Sequence, residues 1–150
     1  MPAGKGRSSM SGIEKEILKK VMQWLVLADE DLNLASHALG LGAQSPYRLI
    51  AYHAQQCAEK YLKAFLVYHN VDFPYTHSMR VLLKLCSNLA TWAQTLKDAE
   101  ELSFYAITAR YPGEEQEVTE AEAKRAIDLA RKVREQVRTA LKQLGVDLPE

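Results

Sequence analysis

Apolar residues recur along this chain at three- and four-residue steps, the period of one face of a helix, and strand-like alternation is nearly absent. The first pattern runs from about Ile13 to Leu39 through Ile17, Val21, Trp24, Ala28, Leu32 and Ala35, and stops in the turn chemistry of "GLGAQSP". Ser45 then stands where an N-cap belongs and Pro46 at a first helical position, opening a second helix that closes near Asn70. After the loop "VDFPYT", Thr76 is placed to cap a third helix carrying Val81, Leu82, Leu85, Cys86 and Leu89. A fourth follows through Leu96, Ala99, Leu102, Ala106 and Ala109 and ends at Pro112 and Gly113. Thr119 and Glu122 form a capping box ahead of the last helix, whose Ala123, Ala126, Ile127, Ala130, Val133, Val137, Leu141 and Leu144 make one stripe before Gly145. The predicted fold class is all-α, an up-and-down bundle of about five helices. Residues 1–12, "MPAGKGRSSMSG", read as a disordered leader without the apolar core of a signal peptide, and 13–145 as one helical domain.

The second helix, "YRLIAYHAQQCAEKYLKAFLVY", raises the question of function because polar residues interrupt its apolar pattern. At about 100° per residue, Tyr47, Ile50, Ala54, Cys57, Tyr61, Ala64, Phe65 and Tyr68 fill one broad arc that must face the core. His53, Gln56 and Lys60 share a mixed stripe with Leu49 and Val67, while Arg48, Tyr52, Gln55 and Glu59 line a third strip. A helix apolar on more than one side is a central one, touched by several partners. On periodicity alone, its polar residues buttress neighbouring helices or a dimer partner.

Composition narrows the function classes. The 150 residues are 47% hydrophobic, enough for a core, and 19 Lys+Arg balance 19 Asp+Glu, so no overall field draws the chain to nucleic acid or an anionic membrane. Contact with nucleic acid therefore requires a local patch. Cys57 and Cys86 sit in apolar helical patterns without a CxxC pairing, which suits reduced core thiols in a cytoplasmic protein. No apolar run approaches the ~20 residues of a membrane span, so no membrane role is expected. His37, His53, His69 and His77 lack the i, i+4 spacing of a helical zinc pair, and neither a metal nor another cofactor is implied. "GKGRSS" lacks phosphate-loop order, and Ser78 beside His77 makes no triad. The last helix is basic through Lys124, Arg125, Arg131, Lys132, Arg134, Arg138 and Lys142 and follows an acidic stretch, an order that helix-dipole placement explains.

"YHAQQCAEKYLKAFLV", then "THSMRVLL", then "ARYP", in this order and spacing, resemble the HEPN domain family, the helical domains named for higher eukaryotes and prokaryotes nucleotide-binding. The resemblance spans about Trp24 to Ala140. It implies a bundle of about five helices that pairs into a homodimer, and a minimal nucleotidyltransferase encoded nearby as partner in a toxin–antitoxin type pair, with nucleotide or RNA as ligand. By position it implies a polar set of Gln56, Glu59, Lys60 and Lys63 on the second helix, His77 at the start of the third, and Arg110 and Tyr111 in "ARYP", as nucleotide- or partner-binding residues.

Ribonuclease members of the family carry an arginine followed four to six residues later by a histidine, in a helix well after the second. Here only Arg48 and His53 have that spacing, and on a straight helix five residues rotate by roughly 140°, so the two side chains leave on different sides. No histidine follows His77, so the usual place of the motif is empty and the catalytic residues stay unassigned. Two readings result: a binding component of a nucleotidyltransferase pair, and a metal-independent ribonuclease toxin using Arg and His at a dimer cleft.

Overall fold

The computed structural model of the chain describes residues 10–108 and 117–149. Among them lie five α-helices, α1 (Gly12–Ala38), α2 (Tyr47–Tyr68), α3 (Met79–Ser87), α4 (Ser103–Thr108) and α5 (Glu120–Gln143), with 3₁₀ segments at Leu39–Gln44 and Thr91–Leu102, and no strand. The all-α bundle expected from the sequence is the observed fold. None of the helices among the described residues is long and apolar enough to cross a membrane.

Local chemistry sets most of the boundaries. Ser11 and Glu14 cap each other's backbone at the start of α1, and Thr119 and Glu122 do so at α5. Asn70 takes a left-handed φ of 56° after α2, and Gly145 one of 95° after α5. In both cases the next residue's N–H reaches back, Val71 to the Leu66 carbonyl and Val146 to that of Leu141, closing orphan acceptors of the last turn.

Two expected caps are displaced. Ser45 does not cap α2. Its hydroxyl donates to the carbonyls of Ala38 and Leu39, acceptors left open where α1 ends, and Pro46 takes the N-cap position instead. Thr76 does not cap α3. Ser78 does, accepting from Val81 N–H, while Thr76 accepts from Ser78 N–H in a local turn that sets the approach of His77. α3 buries Met79, Leu82, Leu83 and Cys86, while the expected core residues Val81 and, past the helix end, Leu89 are exposed.

α2 is the central helix: α1 packs antiparallel on one side, α5 on another, and α3 and α4 cover a third. Ala28 and Ala35 of α1 and the small residues Ala51, Ala54 and Ala58 of α2 are all buried in the shared core. Burial on α2 extends beyond the expected arc to Ala51, Ala58, Leu62 and Leu66. On α1 the apolar stripe overhangs the core at its start, with Ile13 exposed and complete burial beginning at Val21. Val146 and Leu148 fold the C-terminal tail back onto the bundle, where Arg138 donates to the Pro149 carbonyl. Both thiols are free and buried; burial pushes Cys86 up to about 12 and Cys57 higher still, so both stay protonated.

Candidate binding site

Glu59 gathers the polar set on one side of α2. Its side chain is 3% exposed, and a carboxylate that deep needs donors on both oxygens. Gln55 Nε2 donates to Oε1 at 2.6 Å and Lys63 Nζ to Oε2 at 2.7 Å, both from α2 itself at i±4. His77, arriving from the loop before α3, places Nδ1 3.0 Å from Oε1. A carboxylate only accepts, so this nitrogen is the donor, and Nε2 is the ring nitrogen not bonded to Glu59. That Nε2 is buried and has no hydrogen-bond partner. Gln56 extends the network outward, donating to Gln55 Oε1 at 2.9 Å. The Lys63 ammonium also lies 5.6 Å from the ring centres of Trp24 and Phe73, so the charge is enclosed by a carboxylate and two aromatic faces.

Lys60, expected in the same set, belongs elsewhere. It is one residue and about 100° round the helix from Glu59 and points at α1, where Nζ is 2.5 Å from Asp31 Oδ2. His53 Nδ1 is 2.8 Å from the other oxygen of Asp31. Two members of the mixed stripe on α2, His53 and Lys60, thus meet an acid on α1. A third carboxylate, Asp29, accepts from Tyr61 at 2.5 Å and from Arg134 Nε at 2.9 Å, tying α1, α2 and α5 together, with Arg138 at 3.9 Å. Burial and the Asp29 charge hold the Tyr61 hydroxyl well above its ordinary range, so it remains a donor, and the same acid raises Arg134.

Of the expected residues, Gln56, Glu59, Lys63 and His77 are brought together, Lys60 joins a second cluster, and Arg110 and Tyr111 lie outside the described residues. Asp29 and Asp31 escaped the sequence reading. A signal for Asp31 was present: it stands three residues after Ala28 and four before Ala35, two positions of the core stripe.

The geometry of these clusters is that of buttressing. Buried Glu59 and Asp31 and half-exposed Asp29 are each paired with donors of the chain itself.

The comparisons with known proteins agree with this architecture. No curated protein matches the chain. Among solved structures, TT1696 from Thermus thermophilus is similar at 30% identity and a TM-score of 0.65, over 80% of this chain and 97% of that one. ST0689, described as an archaeal HEPN homologue, is similar at 26% identity and a TM-score of 0.62, over 80% of this chain and 96% of that one. The family model described as "HEPN domain" matches residues 21–140, which takes in α2, the whole Glu59 cluster and most of α5. With that match spanning most of the sequence and every helix that builds the polar clusters, the chain belongs to the HEPN domain family.

Proposed function

We propose that this HEPN-domain chain is the binding component of a toxin–antitoxin type pair. It forms a homodimer through the α1–α2 face, engages a minimal nucleotidyltransferase, and contacts nucleotide or RNA within that assembly. The observation that carries this reading is the composition of the face. Leu27 and Leu34 on α1 and Leu49 on α2 are exposed, and all three lie on the strips that Asp31, His53 and Lys60 join. Exposed leucines surrounding a partly buried, internally paired charge cluster suit a protein partner: the apolar rim gives area and the neutralised centre carries little desolvation penalty. The test is light scattering at micromolar concentration, together with capture of the nucleotidyltransferase encoded beside this gene. A dimer mass that falls to a monomer in Leu27→Glu/Leu34→Glu, with helicity unchanged, is the expected result. A monomer across the dilution range for the unmodified chain overturns the dimer, and failure to retain the nucleotidyltransferase overturns the pairing.

One observation favours a second reading, a metal-independent ribonuclease. Asp31 holds His53 through Nδ1, which leaves Nε2 for proton transfer, and Arg48 is half-buried with no partner among the described residues. Cleavage of single-stranded RNA by the unmodified chain in the presence of a chelator, abolished in His53→Ala, would replace the binding reading with this one.

A further inference from the structure

Two of the grooves that border the second 3₁₀ segment handle their charge in opposite ways. The first, between this segment and α5, is about 420 Å³ and carries Lys124, Arg125 and Lys132 against Asp98 and Asp128. Lys124 is further paired with Glu120, and Arg125 with Glu101 at 2.6 Å. The second, between the segment and α3, is about 470 Å³ and carries Arg80, Lys84 and Lys97 against the single carboxylate of Glu100. None of these four has an ion-pair partner among the described residues. In a chain of zero formal net charge this is a local excess of cations, left open.

Helix periods explain how these side chains share one groove. Arg80, Lys84 and Ser87 follow the i, i+4, i+7 row of an α-helix, whereas Gln94, Lys97 and Glu100 repeat every third residue and eclipse along a 3₁₀ segment. The floor between the rows is the apolar pair Leu83 and Ala93, both buried. The Ser87 hydroxyl is occupied by the Lys84 carbonyl at 2.6 Å, so the donors facing a ligand are the three cations and the Gln94 amide. Arg80 and Lys84 rise about 6 Å apart along their helix, a spacing for successive charges of an extended strand rather than for one compact anion. No aromatic side chain lines the groove, so it offers bases no stacking surface.

We propose that the α3–3₁₀ groove is a sequence-independent contact for the phosphate backbone of single-stranded RNA. The inference rests on the RNA part of the function proposed above and gives it a place away from the α1–α2 face. Arg80 supplies a forked donor to phosphate oxygens, Lys84 and Lys97 supply point charges, and Glu100 limits affinity.

The experiment is fluorescence anisotropy of a labelled oligouridylate with the full chain across a salt series. Arg80→Ala/Lys84→Ala/Lys97→Ala is expected to weaken binding at least about tenfold and to flatten the slope of log K against log salt by about 2, the value for three phosphate contacts on a single strand. Glu100→Gln is expected to tighten binding about two- to threefold, a gain that misfolding cannot produce. Lys124→Ala/Arg125→Ala, in the neutralised groove, is expected to stay within about threefold. Unchanged binding in the triple variant overturns the groove and leaves RNA binding in place. No binding by the unmodified chain also overturns it, and leaves the capture of the nucleotidyltransferase to be judged by its own test. Displacement by uridine monophosphate at equal phosphate concentration would make this a nucleotide site, and displacement by polyglutamate a docking site for an acidic protein. Either result overturns the proposal.

Discussion

Glu59 and Asp31 each accept from one histidine and one lysine, yet they sit at different depths. In the first cluster the carboxylate is 3% exposed and its lysine 8%; in the second the values are 11% and 21%. The residue types are nearly identical, so the difference comes from position on α2. The strip bearing Glu59 is roofed by the loop leading to α3, with Trp24 and Phe73 over the ammonium, whereas the strip bearing Lys60 meets only α1 and opens beside exposed leucines. Polar residues at neighbouring positions of one helix thereby take different work: a sealed cluster fixes how three elements meet, and an open one marks a face.

The largest expected effect breaks the sealed cluster. Glu59→Gln leaves the Lys63 charge buried without its counterion and should cost about 3–5 kcal/mol, seen as a thermal midpoint lower by about 10 °C or more. Asp31→Asn opens a partly exposed pair and should cost about 1 kcal/mol or less, with the difference from the unmodified chain shrinking as sodium chloride is raised from about 0.05 to about 0.5 M. An Asp31 effect as large and as salt-independent as that of Glu59 would erase the distinction. The smallest effect concerns His69, which packs on Phe65 and Tyr68 with no carboxylate beside it, and whose Nε2 is buried and unpartnered. Burial holds its pKa below the usual histidine value. The unfolded chain therefore takes up this proton first. The contribution is present above about pH 6.5 and is lost as pH falls through the lower folded value. His69→Gln should flatten the fall in chemical-denaturation midpoint between about pH 7 and about pH 5, and an unchanged profile would show that this ring does not set it.

The bundle was legible because burial follows helical period: the stripe from Ala123 to Leu141 on α5 and the Thr119–Glu122 box needed nothing beyond local spacing. The second 3₁₀ segment was also written in the chain. Ala93, Leu96, Ala99 and Leu102 are buried at strict three-residue steps, the 3₁₀ period, and the step of four to Ala106 comes where α4 begins. Reading that run as a single α-helix merged two periods. Caps at Ser45 and Thr76 failed for a different reason: the Ser45 hydroxyl is taken by the Ala38 and Leu39 carbonyls, and that of Thr76 by the Ser78 N–H. For the polar set, resemblance grouped Lys60 with Glu59, Lys63 and His77, whereas the helical period had already set Lys60 on the stripe of His53, though not what it would meet. That depended on Asp31, twenty-nine positions away.

The three-residue period has a consequence for motion. Hydrogen bonds of 3₁₀ geometry are poorer than those of an α-helix, and this segment is interrupted where Leu96 takes φ −103° and ψ 16°. Its amides should therefore exchange with deuterium through local openings far less costly than global unfolding, while those of α2, enclosed on three sides, should wait for the whole bundle to open. One wall of the α3–3₁₀ groove is the soft element and the other is tied down at its start, where Ser103 Oγ accepts from Met79 N–H. Residue-resolved exchange should therefore show the 3₁₀ wall of the groove opening while the amides around Glu59 on α2 stay protected.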